Sequence, residues 1–233
     1  MFLNPSDYAS RPEHPGSAEL KANMNLRADC PIPFSDTYGW DRWGMLGVMA
    51  DYVLTWVKGD IIEIGIGESS YLFTYLARKF NRKVFHCDIM SSDYINLCTV
   101  GDFFDDNNVL FVGPSDDFFE EIKFTKVSVV FIDGDHMYDQ VKKDFNNSFN
   151  LIEENGFIFM HDLYPMNEEE TAFNRSGNGY KFRKELERRS DIDIFTFHFG
   201  AWNAGLTMVR KIPKPENPYR ESGRINIHGS FKS

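Results

Sequence analysis

VSVVFIDGDHMYD, residues 127–139, begins with six mostly apolar, β-favouring residues and ends in Asp133, Asp135 and His136. A strand apolar throughout is buried on both faces, as in a parallel sheet covered by helices. Its polar end then lies at the carboxyl edge of the sheet, where such folds hold ligands. The flanking sequence repeats the pattern. DIIEIGI (60–66) reads as a strand, SYLFTYLARKF (70–80) as a helix and KVFHCDI (83–89) as a second strand, together a βαβ unit with a right-handed crossover. VLFVG (109–113) and GFIFMHD (156–162) are further strands. Between 127–133 and 156–162, the residues Tyr138, Val141, Phe145, Phe149 and Ile152 mark one face of a helix that Asn155-Gly156 is expected to stop.

Upstream, Trp43, Leu46, Met49, Val53 and Val57 recur every three or four residues and predict an amphipathic helix from Trp40 to about Lys58. Downstream, KFRKELERR (181–189) reads as a helix, and DIDIFTFHF (191–199) with AGLTMVRK (204–211) as a closing hairpin. The sum is an α/β domain over 40–211: a mostly parallel sheet with helices on both faces and an antiparallel edge. Pro5, Pro12, Pro15, Pro31 and Pro33 make residues 1–39 an arm, read as a lid or a homodimer contact, and Pro213, Pro215 and Pro218 make 212–233 a tail.

Composition narrows the partners. In 233 residues, Lys plus Arg number 25 against 35 Asp plus Glu, a formal charge of −10 that disfavours a nucleic-acid face. Cys30, Cys87 and Cys98 lack metal-type spacing and imply no disulfide framework, which points to a reduced, cytoplasmic setting. No stretch reaches the ~18 apolar residues that a membrane span needs.

EIGIGESSY (63–71) is a strand-to-helix glycine turn. Gly65 and Gly67 fit the opening of a dinucleotide fingerprint, but Ser70 takes the third glycine position and Glu68 adds a negative charge where a pyrophosphate would sit. A cationic nucleoside without phosphate suits the turn better. The glycines let the backbone approach it, and Asp88, 21 positions after Gly67, is placed to accept from ribose hydroxyls. S-adenosylmethionine meets these conditions. The plain alternative is that the glycines merely make a tight turn.

Here the sequence resembles the class I S-adenosylmethionine-dependent methyltransferases over about residues 40–211. The likeness rests on FIDGDHMYDQVKKDF (131–145) with NGFIFMHDL (155–163), typical of macrocin- and cephalosporin-biosynthesis-type O-methyltransferases, and on EIGIGESS as a first motif. The resemblance implies a Rossmann-like, seven-stranded sheet. It implies that Glu63, Gly65 and Gly67 line the cofactor's amino-acid end, that Asp88 holds the ribose, that Ser115 and Asp116 in GPSDD (113–117) contact the adenine, and that Asp133 closes the cofactor site.

The strands ending in Asp133 and in His161-Asp162 are expected to be neighbours. Asp133 and Asp162 are hard oxygen donors suited to Mg²⁺ or Mn²⁺, and resemblance to metal-dependent relatives adds His161 to the set. O-methylation requires the acceptor hydroxyl to lose its proton. His136 is the favoured base because a neutral imidazole accepts a proton near pH 7, with Asp135 as the fallback. The plainer reading is that Asp135-His136 caps the helix beginning near Met137. The long segment between Tyr164 and Gly179 reads as a substrate lid or a solvated connection, with Tyr180 and Trp202 as candidate stacking surfaces. His14, His86, His198 and His228 carry no assigned role. The sequence therefore predicts an O-methyltransferase for a small polar acceptor, a sugar or glycosylated metabolite. The rivals are a catalytically silent binding module of the same fold and a nicotinamide-dependent oxidoreductase.

Overall fold

The computed structural model describes residues 2–3, 42–67, 69–89, 106–121, 126–173, 175–198 and 204–213. The strands are β1 (Phe2–Leu3), β2 (Asp60–Ile64), β3 (Val84–Asp88), β4 (Asn108–Val112), β5 (Val127–Ile132), β6 (Ile152–His161), β7 (Ile192–Phe197) and β8 (Leu206–Lys211). The helices are α1 (Arg42–Trp56), α2 (Ser69–Phe80), α3 (Ser115–Glu121), α4 (Tyr138–Leu151) and α5 (Tyr180–Leu186), with a 3₁₀ turn at Glu169–Thr171. One sheet has the order β1-β4-β3-β2-β5-β6-β8-β7. Strands β2 to β6 pair in parallel, while β8 runs antiparallel to both β6 and β7.

Alternation along the strands explains why both faces are covered. In β2 and β5, Ile61, Val129 and Phe131 face one cluster with Leu46 and Ala50 of α1 and Phe73 of α2. Ile62, Ile64, Val130 and Ile132 face the other, with Phe118 of α3, Phe145 of α4 and Phe182 of α5. Strands of period 2 placed between two helical layers are buried on both faces and so mostly apolar, and the burial of all six residues of β5 follows. From β2 the chain winds outward through β3 to β4, then returns to β5 beside β2. That reversal opens a crevice at the carboxyl ends of β2 and β5, the usual ligand position in such sheets.

Three features differ from the sequence reading. Helix α4 ends at Leu151, not at Asn155-Gly156, because Ile152 is already extended and pairs with Val127. Asn155, with φ 64°, and Gly156 instead make an irregularity inside β6, where the register slips between Val127 and Val129. The sheet also has an eighth strand, since Phe2–Leu3 of the expected arm pairs antiparallel with β4. The rest of the arm, the tail beyond Pro213, Cys30, Cys98, Glu68 and Trp202 lie outside the described residues. Among the described residues, no helix is long and apolar enough to cross a membrane.

Candidate active site

The glycine turn leaves β2 beneath a short backbone frame. Gly65, at φ 90°, donates its N–H to Cys87 O at 2.9 Å, and Ile66 N–H donates to Asp88 Oδ2 at 2.8 Å. A Cβ on Gly65 would stand 2.2 Å from Asp133 O, so the turn and the end of β5 touch backbone to backbone. Gly67 N–H donates to Ser70 Oγ at 3.1 Å. Glu63 is fully buried under this turn, and its carboxylate accepts from the Ser69 and Ser70 hydroxyls and meets His86 Nδ1. The structure thus gives Ser69, Ser70 and His86 a place in the support of the turn. Sequence reasoning took Ser70 as a missing third glycine and left His86 without a role.

At the next strand end, Ser115 opens α3 and is nearly buried. Its Oγ–H donates to Asp144 Oδ1 of α4 at 2.6 Å, while Asp116 is exposed and pairs with Lys143 at 3.2 Å. Asp144 and Gln140, which donates to Ser115 Oγ at 2.9 Å, were not singled out in the sequence. Their signal is their place on α4, Asp144 within its buried stripe and Gln140 beside it.

The acidic strand ends do converge. Asp133 follows β5 and Asp162 follows β6, where it takes φ 59°, a left-handed conformation that aspartate tolerates better than most residues. His136 Nε2–H donates to Asp133 Oδ1 at 3.2 Å, and His136 Nδ1–H donates to Arg175 O at 2.9 Å. His161 Nδ1 lies 3.1 Å from Asp133 Oδ1 and 3.1 Å from Asp162 Oδ1. Burial alone pushes the Asp133 carboxyl up, but the charge and hydrogen bonds of His161 and His136 outweigh it and hold the carboxyl at about 2. Burial pushes His161 down, and the two carboxylates more than reverse this, lifting it to about 9. His136 is raised for the same reason, with desolvation opposed by Asp133, the Arg175 carbonyl and Asp162. Its ring therefore holds its proton more firmly than the neutral, accepting form expected from the sequence. Asp135 is exposed and accepts from Met137 N–H at 2.9 Å, so it supports the start of α4.

One ligand atom each from Asp133, His136 and Asp162 lies within 4.8 Å of the others. Two carboxylates and an imidazole are hard and borderline donors, a set that fits Mn²⁺ or Mg²⁺. The sequence reading placed His161 in this set; the trio within 4.8 Å has His136, while buried His161 stands 3.1 Å from both carboxylates. The segment between Tyr164 and Gly179 is tied to this cluster. Arg175 O and Gly179 N–H bond His136, and Asn178 Oδ1 accepts from Tyr138 N–H. A cavity of about 730 Å³ lies along the same segment, walled by Tyr164, Met166, Tyr180, Arg183 and Lys184.

Residues 62–163 match the family described as "Methyltransferase domain". Among solved structures, the chain is similar to the O-methyltransferase from Bacillus cereus in complex with SAH, at 16% identity and a TM-score of 0.57, covering 88% of this chain and 94% of that one. It is similar to the O-methyltransferase TomG from Streptomyces achromogenes, involved in tomaymycin synthesis and bound to SAM, at 14% identity and TM-score 0.56, covering 89% and 94%. It also resembles the MycE methyltransferase of the mycinamycin biosynthetic pathway, in complex with Mg and SAH, at 15% identity and TM-score 0.53, covering 86% of this chain and 55% of that one. No curated protein matches the chain in sequence. The fold is the Rossmann-like fold of these methyltransferase structures, and the matched residues 62–163 span β2 to the end of β6 within it.

Proposed function

We propose that the chain is an S-adenosylmethionine-dependent O-methyltransferase acting on a hydroxyl of a small polar acceptor, a sugar or glycosylated metabolite, in a divalent-metal-assisted reaction. The observation that carries the reading is the convergence of Asp133, His136 and Asp162 within 4.8 Å beside the glycine turn of a methyltransferase domain. The likeness to MycE, whose structure holds Mg and SAH, supports the cofactor and metal side of the proposal.

The chain's own residues divide the work. The backbone of Gly65 to Gly67 faces the cofactor's amino-acid end, and Asp88 receives the ribose hydroxyls while one of its oxygens holds Ile66 N–H. Ser115 and Asp116 border the adenine. Asp133 and Asp162, with His136 or His161, would hold the metal, which requires the imidazole to give up its proton. A bound divalent ion lowers the pKa of a hydroxyl it coordinates. With His161 completing the metal set, His136, oriented by Arg175 O, would take up that hydroxyl's proton on Nε2 once Nε2 has given its own to solvent, and Asp135 fixes the loop that carries it. The cavity beyond Asp162 gives the acceptor room, with the Tyr164 and Tyr180 rings in its wall. The nicotinamide reading is disfavoured, because Gly67 N–H is already satisfied by Ser70 Oγ and is not offered to a pyrophosphate.

The test is calorimetric titration with S-adenosylmethionine, with and without Mg²⁺ or Mn²⁺, on the wild type, Asp88→Ala and Asp133→Ala. Micromolar cofactor binding that Asp88→Ala loses, and metal binding that Asp133→Ala loses, are the expected results. An absence of cofactor binding under every metal condition would overturn the reading.

A further inference from the structure

We infer that Gly177, Asn178 and Gly179 form a clip that positions His136: they lock its ring onto the Arg175 carbonyl and so keep Nδ1 off Asp162. The inference rests on the metal and base reading above and adds what holds the imidazole in place.

The imidazole has a choice of partners. Its Nε2 meets Asp133 Oδ1 at 3.2 Å, while its Nδ1 lies 2.9 Å from Arg175 O and 3.6 Å from Asp162 Oδ2. Of the two acceptors near Nδ1 the carboxylate is the stronger, since a hydrogen bond to an ionised group is roughly twice as strong as a neutral one. A ring free to turn would go to Asp162 and occupy an oxygen that a divalent ion needs. It faces the carbonyl instead, so the main chain that carries Arg175 O has to be held against it.

The clip supplies that hold. Gly179 N–H donates to His136 O at 2.8 Å. Asn178 Oδ1 accepts from Tyr138 N–H, the first of α4, whereas Met137 before the helix offers no capping oxygen of its own. The cap on α4 thus comes from a residue 40 positions away. Gly177 takes φ 57°, and a Cβ there would meet His136 O at 2.7 Å, while one on Gly179 would meet the same atom at 2.9 Å. Glycine on either side of Asn178 lets the two backbones touch. The chain that leads into the clip is folded on itself. Buried Glu170 accepts from Met166 N–H at 2.7 Å through its carboxylate and from Ser176 N–H at 3.0 Å through its carbonyl, and Gly177 N–H donates to Ala172 O at 3.2 Å. It therefore moves as a unit, and the clip sets where Arg175 O stands. Asn178 and its two glycines are positioning residues that act through His136.

The experiment compares the full-length wild type with Asn178→Ala, Asn178→Asp and Gly177→Ala. Long-range ¹H–¹⁵N NMR of the metal-free proteins reads the His136 Nδ1–H at about pH 5.5, below the ordinary histidine value of about 6.5, so that both ring nitrogens carry protons. Asn178→Ala and Gly177→Ala should lose the wild-type signal, either to solvent exchange or to a shifted position as the ring turns to Asp162. Asn178→Asp keeps an acceptor oxygen for Tyr138 N–H and should keep the signal. Calorimetric titration with Mn²⁺ should show the first two variants weakened by about tenfold or more and Asn178→Asp close to the wild type, with S-adenosylhomocysteine affinity alike in all four. Two routes to the same loss keep the test open should one variant fail to fold. A wild-type His136 signal or a wild-type Mn²⁺ affinity in the folded Ala variants, or a joint loss of Mn²⁺ and S-adenosylhomocysteine binding there, would overturn this inference alone. Failure of the wild type to bind Mn²⁺ would overturn the metal reading, and the His136 signal would still decide this one.

Discussion

His86 Nδ1 lies 2.5 Å from Glu63 Oε2, and both side chains are fully buried. The parallel register of β2 and β3 sets the two residues side by side. The chain of bonds extends further, since His86 Nε2 lies 2.9 Å from Asn108 Oδ1, which also accepts from Thr74 Oγ1 at 2.8 Å. Three strands and α2 are thereby joined under the glycine turn. His86→Ala leaves the Glu63 carboxylate buried with its serine bonds but without its imidazole. Removing one member of such a pair costs about 3–5 kcal/mol. Urea denaturation at pH 7 should show a loss of that order, and a change below about 1 kcal/mol would mean that the serines alone satisfy Glu63.

The contact between Gly65 and Asp133 makes a second prediction. A Cβ at residue 65 would meet Asp133 O at 2.2 Å and Gly134 N at 2.9 Å, and the residue would also have to keep φ 90°. Backbone cannot yield there as a side-chain tip could. Gly65→Ala should therefore destabilise the fold by at least about 2 kcal/mol and abolish cofactor binding together. Thermal unfolding and calorimetry on the same preparation check both. Normal affinity in this variant would show that the turn can shift without harm to the site.

Much of this architecture was legible because period and punctuation carry it. The mostly apolar run 127–132 announced a strand covered on both faces, and the alternation of such runs with 3.6-period stretches announced the parallel sheet. The convergence of Asp133 and Asp162 was legible too, since adjacent parallel strands end at the same edge. What stayed hidden depends on register and three-dimensional approach. Nothing local in KVFHCDI marks His86 as the partner of Glu63, because that pairing is fixed only when β3 aligns on β2. Asn155-Gly156 carries the same turn chemistry whether it stops a helix or bends a strand, and pairing of Ile152 with Val127 decided the matter. The upward shift of His136 was not legible, since besides Asp133 it rests on Arg175 O, 39 residues away in the chain.

The carboxylates around His161 lead to a spectroscopic prediction. Its titration is lifted to about 9 against the opposing effect of burial, with Asp133 the strongest support and Asp162 the other. Asp133→Asn removes the larger charge and leaves the desolvation in place. The His161 ring should then titrate near or below the ordinary value of about 6.5. Long-range ¹H–¹⁵N NMR of the metal-free protein, followed from pH 5 to 10, reads this directly. A midpoint that stays near 9 in the variant would assign the shift to Asp162 instead.

Asp144 links the same chemistry to stability. Burial, opposed by the bonds from Ser115 and Gln140 and reinforced by repulsion from Asp116 and Asp135, raises its carboxyl from 3.8 to about 6. A raised acid pKa means that the folded chain binds a proton more readily than the unfolded chain. The stabilising contribution is thus complete below about pH 4 and is lost as pH rises toward 6, where Asp144 must ionise inside the protein. Two pKa steps correspond to about 3 kcal/mol at most. Asp144→Asn cannot ionise, so its stability relative to the wild type should climb by about 1–3 kcal/mol between pH 4 and 7 and stay level above that. The other carboxylates cancel in the difference between the two proteins, which is why the paired comparison, by urea midpoints at half-unit pH steps, isolates this one group. Parallel pH curves for the two proteins would place the Asp144 carboxyl at its ordinary value, and would mean that water or local motion reaches Oδ2.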